Sequence, residues 1–415
     1  MTSKPATSQD SPFAEPQFRW LYASNVLFFL AMGSQGVLRA WLVFDMTQSE
    51  FSLGLISFVV AVPMLLVAPL GGVIADRFDR RNLIRSGQTL IVLSELVVLL
   101  LLLAGKLQFW HLLALAAVSG SMFPFIMPAR NAIVANVVGI KRLPSAMALN
   151  TAGINATRVL GPAMAGFLIG AIGIEVTYAL GFVLYVLGLA CLLPLTPSAP
   201  PEGTRDKSIV RNIGDGFRFV LNERIILMLL VFGLVPMFLA MPFQSLLVVF
   251  AEEVWNTGAA GLGLLSAAAG LGGIGGSALV AWRPNPKRRA LSMLWSAVAF
   301  GGFLLLFSLS PWFLLALPLV FVANVFVSVF GTLNNTAIQV LIPDHVRGRV
   351  SAILMMSFSL PLLGTLPMGA LAEVSGAPFA VALAAALAVV AALALFGTSH
   401  ELRKLDTRMH RAFEE

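Results

Sequence analysis

Three ionisable side chains stand within otherwise apolar stretches of this sequence, and they are its strongest candidates for chemistry: Arg39, Glu95 and Arg158. A charge inside a bilayer is costly, so each is a functional hypothesis by default. Glu95 is the only carboxylate deep in such a stretch, which makes it the leading candidate for a proton carrier, with an ion pair to a neighbouring helix as the alternative. Arg39 and Arg158 could hold an anionic group of a substrate or pair with Glu95. Asp45, at the end of the first stretch, could exchange protons with the outside or be a solvated loop charge.

The stretches that hold these charges are long enough to cross a membrane. Of the 415 residues, 58% are hydrophobic and 11% are charged, against roughly a quarter charged in an ordinary soluble domain. Apolar runs of about 20 residues recur from one end to the other. This pattern excludes a water-soluble globule and predicts an all-α membrane protein. The predicted spans are 19–45, 52–75, 82–104, 109–130, 144–171, 174–196, 223–251, 257–282, 290–309, 311–334, 349–374 and 377–399.

Lysines and arginines fall on alternate connections between these spans, and the opposite connections hold only Lys106. By the positive-inside rule, both termini and the central connection are cytoplasmic. The regular alternation predicts an even number of spans, twelve. The predicted organisation is a cytoplasmic N-terminal tail 1–18, a six-helix bundle 19–196, a cytoplasmic linker 197–222, a second six-helix bundle 223–399 and a cytoplasmic C-terminal tail 400–415.

The two predicted bundles carry signs of an internal repeat. A shift of about half the chain length places the segment that starts at Asn131 on the one that starts at Thr336, and places Gly72 on Gly276. The common offset predicts a duplicated six-helix unit. Parallel halves of this kind suit a transporter that rocks around a central site.

The connection between the second and third spans holds the most specific pattern, Gly72-Val-Ile-Ala-Asp76-Arg77-Phe-Asp79-Arg80-Arg81. It resembles the loop signature of the major facilitator superfamily, Gly-x-x-x-Asp-Arg/Lys-x-Gly-Arg-Arg/Lys, with Asp79 in place of the second glycine. A short basic loop would explain the arginines but neither Gly72 nor Asp76. The resemblance implies the major facilitator fold, with about twelve transmembrane helices in two pseudo-symmetric six-helix bundles.

The resemblance also implies a gating role for this loop. Asp76 would contact the start of span eleven, near Arg349, in the outward-facing state, and Arg130 is its candidate partner within the first half. A small residue at Gly72 would let two helices approach closely. The candidate gating residues are Gly72, Asp76, Arg77, Arg80, Arg81, Arg130 and Arg349.

Three further stretches narrow the resemblance to the bacterial branch that contains the enterobactin exporter and macrolide-efflux proteins. They begin at Gln35, Pro128 and Ile342, and the resemblance covers nearly the whole chain. In span five, Gly161-Pro162-Ala-Met-Ala-Gly166 approximates the antiporter pattern Gly-Pro-x-x-Gly-Gly. Pro162 would bend that helix and Gly166 would allow close packing with span eight. Export is therefore favoured over import.

Spans one, four, seven and ten line the cavity in that family, so polar and aromatic residues on these spans are candidates for the cavity wall, together with two asparagines of span five. Such a mixture suits an amphipathic or largely apolar substrate. Packing or lipid contact is the alternative for any single aromatic residue. The candidates are Asn25, Phe28, Gln35, Phe123, Asn150, Asn155, Phe232, Phe238, Gln244, Asn324, Asn334 and Asn335.

No catalytic function is expected. The sequence has no Gly-x-x-x-x-Gly-Lys-Ser/Thr loop for ATP, and its single cysteine and four histidines form no cluster that could hold a metal, so no metal or other cofactor is predicted. Although the net charge is +7, nucleic-acid binding is not predicted because the basic residues lie in short loops between spans.

The predicted function is secondary active transport by alternating access, as proton-coupled export of an amphipathic small molecule, siderophore or drug-like. A flippase of lipids or lysophospholipids with the same fold is the alternative, and a non-transporting membrane sensor is a weaker one. The expected partners are the small-molecule substrate, protons and the lipid bilayer. The chain is expected to act as a monomer in the bacterial cytoplasmic (inner) membrane.

Overall fold

In a computed structural model, residues 11–198, 214, 218–282, 288–343, 350, 353–354 and 356–414 are described, with side chains at all of these except 72–73, 75–76, 140, 358 and 411–414. This part of the chain is predominantly helical and contains no strand. The first half consists of α1 (Pro16–Thr47), α2 (Glu50–Arg77), α3 (Arg80–Leu103), α4 (Phe109–Ile172) and α5 (Ile174–Ala190). The second half consists of α6 (Arg224–Val254), α7 (Gly258–Trp282), α8 (Arg289–Ser308), α9 (Phe313–Leu341), α10 (Leu360–Ser375) and α11 (Ala377–Thr398).

Among the described residues, nine helices are long and apolar enough to cross a membrane, and two shorter apolar helices are α5 and α10. The helix α4 supplies two of the predicted spans as one continuous element. Its two arms meet at Gly139, whose backbone has φ +69° and ψ 168°, a conformation that glycine adopts without the steric cost of a Cβ. The exact count of twelve spans stays a prediction.

Two helices run further than predicted. The first arm of α4 continues to Gly139 rather than ending at 130, and α9 continues to Leu341 rather than ending at 334. Both extensions are less apolar than the spans themselves. They remain helical because nothing in them breaks the helix before Gly139 or Pro343.

The helix α6 is the least regular span. It passes through a π-helical segment, Val235–Ala240, and a 3₁₀ segment, Met241–Leu246, before a second π-helical segment at its end. Pro236 and Pro242 stand at the start of the first two segments. A proline lacks the N–H that an α-helical turn needs, which explains why the regular hydrogen bonding stops there.

We call the end of the bundle at which α1 begins the proximal end, and the end at which α2 begins the distal end. The halves touch along two seams, α2 against α10 and the second arm of α4 against α7. Glycines permit this approach. A Cβ built on Gly166 would lie 2.5 Å from the Gly263 Cα, and one built on Gly369 would lie 2.5 Å from the Glu50 carbonyl oxygen. These contacts lie in the distal half of the molecule.

The C-terminal tail forms two short helices, α12 (His400–Arg403) and α13 (Leu405–Glu414). Leu402, Leu405 and Met409 are buried against the proximal end of the second half. The Asp406 carboxylate accepts a hydrogen bond of 3.1 Å from the backbone N–H of Ala290, near the start of α8, where it satisfies a free helix donor.

Candidate transport site

Arg39 and Glu95 form an ion pair inside the first half. An Nη of Arg39, on α1, lies 2.5 Å from a carboxylate oxygen of Glu95, on α3. The Tyr178 hydroxyl, on α5, donates to the other oxygen of the same carboxylate. Glu95 has no exposed surface and the Arg39 side chain is 15% exposed. Of the roles expected for Arg39, the structure shows the pair with Glu95, which holds the arginine side chain inside the bundle.

Arg130 is the centre of a second polar cluster. Its guanidinium donates to the side chains of Asn25 and Ser24 on α1 and, at 2.5 Å, to that of Gln88 on α3. It also lies 4.6 Å from the centre of the Phe28 ring, a cation–π arrangement. The four partners carry no net charge, and Arg130 is only 1% exposed. The cluster ties α1, α3 and α4 together.

A cavity of about 340 Å³ lies between the halves, within the usual size range of small-molecule sites. Among the described residues of its wall, one is charged, Arg39, so the Arg39–Glu95 pair reaches the edge of the cavity through the arginine. The first half contributes Gly36, Arg39, Ala40, Leu53, Ile56, Ser57, Val60 and Ala116. The second half contributes Met241, Pro242, Gln244, Ser245, Pro361, Leu362 and Thr365.

Arg158 lies in the second arm of α4 and is exposed. Within the described part of the chain, its side chain forms no hydrogen bond or ion pair. The structure therefore separates the three charges predicted within spans. Arg39 and Glu95 neutralise each other, whereas Arg158 stands apart. Asp45, at the end of α1, is exposed.

The described residues of the loop pattern form hydrogen bonds with other segments of the first half. Asp79 caps α3, because one of its carboxylate oxygens accepts 2.9 Å from the N–H of Asn82, and the other accepts 2.7 Å from the N–H of Ser198. Arg81 donates to the Leu195 carbonyl at 2.8 Å, beyond the C-terminus of α5. Arg77 is exposed and Arg80 is buried. The side chain of Asp76 and all of Arg349 lie outside the described residues, and only the helical backbone of Gly72 is described, so the proposed latch stays a prediction.

The antiporter-like pattern lies where α4 meets α1 and α7. A Cβ built on Gly161 would lie 2.9 Å from the Leu30 carbonyl oxygen of α1, and Pro162 packs beside Gly33 of the same helix. Gly166 faces α7. The segment therefore contacts a helix from each half.

The residues predicted to line the cavity divide into two groups. Gln244 lies on the wall described above, and Asn335 is exposed on α9, with Phe123, Asn155 and Phe238 half-buried. The remaining ones are buried and take part in packing or internal hydrogen bonds: Asn25, Phe28, Gln35, Asn150, Phe232, Asn324 and Asn334. For example, Asn25 donates to Asn150 at 2.7 Å, and Phe232 packs edge-on against Phe330.

A polar contact joins the halves at the distal end. The Glu373 carboxylate, on α10, accepts from the Ser49 hydroxyl at 2.9 Å and from the Phe51 N–H at 3.0 Å. Ser49 is the N-cap of α2 and Phe51 lies in its first turn, where the free N–H groups and the helix dipole favour an anion. In the same seam, the Thr365 hydroxyl donates to the Gly54 carbonyl at 3.0 Å.

Sequence reasoning missed Gln88, Tyr178 and Glu373. A signal for the first two existed. Gln88 and Glu95 are seven residues apart on α3, and Tyr178 and Tyr185 are seven apart on α5, so each pair shares one face of its helix. The sequence contained no such signal for Glu373, because this residue lies near a helix end, where charged residues are common in membrane proteins.

Two helical halves that meet across a cavity lined by both, together with the family profile given below, identify a membrane transporter of the major facilitator type. The nucleoside transporter NupG superposes on this chain with a TM-score of 0.70 at 14% identity, covering 92% of this chain and 98% of its own. A bacterial homologue of the human lysosomal transporter Spinster, solved in an inward-facing and unoccupied conformation, gives a TM-score of 0.68 at 15% identity. The superposition covers 98% of this chain and 99% of that one. The chain belongs to the family described as transmembrane secretion effector, whose profile matches residues 7–414.

Two curated relatives extend along most of the chain. The staphyloferrin A transporter of Staphylococcus aureus is 23% identical over 369 residues, which is 86% of this chain and 90% of that protein. The enterobactin exporter EntS of Escherichia coli is 26% identical over 341 residues, 81% of this chain and 80% of that protein. These relatives are transporters of siderophores.

Proposed function

We propose that this protein exports an amphipathic small molecule, siderophore or drug-like, by alternating access and in exchange for protons. The observation that carries the proposal is the cavity between the halves, whose wall combines apolar residues with Arg39, Ser57 and Gln244. Such a wall suits a cargo that has both polar and apolar surface. The two siderophore-transporting relatives support the siderophore class in particular.

The proposed setting is the bacterial cytoplasmic membrane, with both termini in the cytoplasm. In that orientation the proximal end is cytoplasmic and the distal end faces outward. The distal seams then close the cavity toward the outside, as in a state that loads cargo from the cytoplasm. Export would require the seams α2–α10 and α4–α7 to separate while the proximal ends come together.

Glu95 is the proposed proton carrier. Its ion pair with Arg39 connects it to the cavity wall, because Arg39 lies on that wall. A proton that binds Glu95 would neutralise the carboxylate and break the ion pair, so the Arg39 guanidinium on the cavity wall would move. Since exchange requires that the protonated state bind the cargo less tightly, we expect the paired state to hold the cargo. Loss of the proton would restore the pair. Proton binding and cargo binding would thus be linked through one side chain.

A comparison of cells with and without this chain tests the export activity. We expect cells that express it to release a siderophore, or to accumulate less of a macrolide or dye, than cells with an empty vector. The full chain is used, and labelled lysophospholipid is included as a further substrate. Translocation of that lipid alone, without efflux of any small molecule, would contradict export and favour a flippase.

Proton coupling is tested in everted membrane vesicles with the substrate found in cells. We expect a pH gradient to drive uptake by the native protein and Glu95→Gln to abolish the dependence on that gradient, since glutamine cannot exchange a proton. Glu175→Gln is the matched control, because Glu175 is exposed at the start of α5. Unchanged coupling in Glu95→Gln would exclude Glu95 as the carrier.

A further inference from the structure

The contacts of the second arm of α4 distinguish four sides of this helix: one against α1, one against α7, one toward lipid and one opposite the lipid side. Gly161 meets α1, whereas Gly166 meets α7 of the other half. Leu160 and Phe167 are 58% and 68% exposed and share a face, since seven residues make about two helical turns. A large exposed apolar face on a membrane helix is the side that contacts lipid.

Arg158 lies opposite that lipid face. Phe167 follows it by nine residues, which is about two and a half helical turns. Asn155 and Thr151 precede Arg158 by three and seven residues, so the three polar residues form one stripe. The stripe lies between the side of the arm that contacts α1 and the side that contacts α7 of the other half. It therefore faces the space between the halves.

Among the described residues, neither Arg158 nor Asn155 nor Thr151 has a side-chain hydrogen bond or ion pair, and both Arg158 and Thr151 are exposed. The other cations within spans are different. Arg39 is neutralised by Glu95 at 2.5 Å, and Arg130 is 1% exposed among neutral partners.

Of the carboxylates that the structure describes, none lies within ion-pairing distance of Arg158. The 340 Å³ cavity, whose wall does not include Arg158, likewise has no aspartate or glutamate among its described lining residues. A guanidinium in the middle of a predicted membrane span, without an anionic partner among the described residues, is best compensated by an anion that binds from outside the fold. Guanidinium donors match a planar carboxylate in geometry as well as in charge.

We propose that Arg158, assisted by Asn155 and Thr151, is the subsite that holds the anionic group of the cargo, and that the cargo is an organic carboxylate on an apolar body. This inference rests on the proposed export function and specifies its substrate class. In the second half, Met237 of α6 is half-buried and Asn335 of α9 is exposed, and we expect these two residues to contact the remainder of such a molecule.

The test measures binding of two probes that differ only in charge, 2-naphthoate and the neutral 2-naphthamide. The full chain is placed in lipid nanodiscs, and equilibrium dialysis of radiolabelled probe is corrected with empty nanodiscs. We expect the native protein to prefer the carboxylate and Arg158→Gln to lose that preference by about tenfold or more, the usual range for a charge-assisted hydrogen bond. Binding of 2-naphthamide should not change, which also reports that the variant is folded.

Two further variants complete the design. Arg158→Lys keeps the charge and should retain most of the preference, and Arg224→Gln makes the same charge change at an exposed position at the start of α6 and should behave as the native protein. Equal binding of both probes to the native protein, binding of neither, or an unchanged preference in Arg158→Gln would overturn the assignment.

The outcome is separable from that of the export assay. A chain that exports a siderophore in cells but keeps its carboxylate preference in Arg158→Gln retains the proposed function and loses this subsite. A chain whose preference disappears in Arg158→Gln but that exports nothing retains the anion subsite and loses the proposed function.

Discussion

The pairing of Arg39 with Glu95 is the most consequential interaction at the scale of single residues. Both charges are held inside a membrane bundle, and the Tyr178 hydroxyl satisfies the carboxylate oxygen that the arginine does not. Breaking a buried pair by removing one partner leaves the other charge without compensation, which is more destabilising than removing both. The pair is thus a structural element as well as the proposed coupling site.

We predict that Arg39→Met lowers the stability of the purified protein by about 3 to 5 kcal/mol, seen as a lower thermal unfolding temperature in detergent. The double variant Arg39→Met with Glu95→Gln should recover much of the loss, because no unpaired charge remains. Arg224→Met is the control for removal of an exposed arginine. A double variant less stable than Arg39→Met alone would contradict this account of the pair.

The substitution of Asp79 for the usual glycine of the loop also has a residue-scale explanation. Its backbone has φ −57°, so the position does not require glycine. A carboxylate here instead caps α3 and accepts from Ser198. This chain therefore gains a connection between α3 and the segment after α5 where the family pattern has a residue without a side chain.

At the scale of helices, close approach of glycines decides how the halves meet. The seam between α4 and α7 has Gly166 against Gly263, and a Cβ at Gly166 would lie 2.5 Å from both the Gly263 Cα and the Ala259 carbonyl oxygen. Backbone atoms at that distance cannot move aside as a flexible side chain can. The distal closure of this seam therefore depends on the absence of a side chain at Gly166.

We predict that Gly166→Leu opens the distal end, because overpacking of this kind costs about 1 to 3 kcal/mol and falls only on the closed state. The readout is the distance between spin labels on cysteines placed at Lys106 and Pro311 in a Cys191→Ser background, which should become longer and more broadly distributed. Gly170→Leu is the matched control, since a Cβ there meets nothing within 4 Å. An unchanged distance in Gly166→Leu would mean that the seam tolerates the side chain by another route.

At the scale of the whole molecule, the family resemblance and the distal contact together predict a reciprocal arrangement at the two ends of the seam between α2 and α10. The family resemblance implies that Asp76, near the end of α2, contacts the start of span eleven at the proximal end. At the distal end, Glu373, near the end of α10, accepts from the first turn of α2. Each carboxylate would then interact with the partial positive charge at a helix N-terminus of the other half, Asp76 in the outward-facing state and Glu373 in the state with closed distal seams.

If the distal contact must break during transport, a covalent bridge across it should stop the cycle. We predict that Ser49→Cys with Glu373→Cys, in a Cys191→Ser background, loses transport when a short bifunctional methanethiosulfonate bridges the two cysteines, and regains it on reduction. Each single-cysteine variant treated in the same way is the control. Full transport by the bridged protein would contradict alternating access through this seam.

The membrane class, the position of most helices and the loop pattern were all readable from the chain alone. Apolar runs are a one-dimensional property, because each span must satisfy its own backbone hydrogen bonds inside lipid. The cost of a charge in lipid also marked Arg39, Glu95 and Arg158 as unusual without any knowledge of their neighbours. Small residues such as Gly161 and Gly166 indicated close helix contacts.

Only the tertiary structure decided which of these groups meet. Arg39 lies against Glu95, Arg158 has no such partner among the described residues, and Asn25 and Phe28 contact Arg130 inside the first half. The rotation of each helix about its axis sets these contacts. In lipid, where apolar residues face both the bilayer and the bundle, hydropathy does not distinguish the two sides of a helix, so the rotation depends on packing between helices distant in sequence.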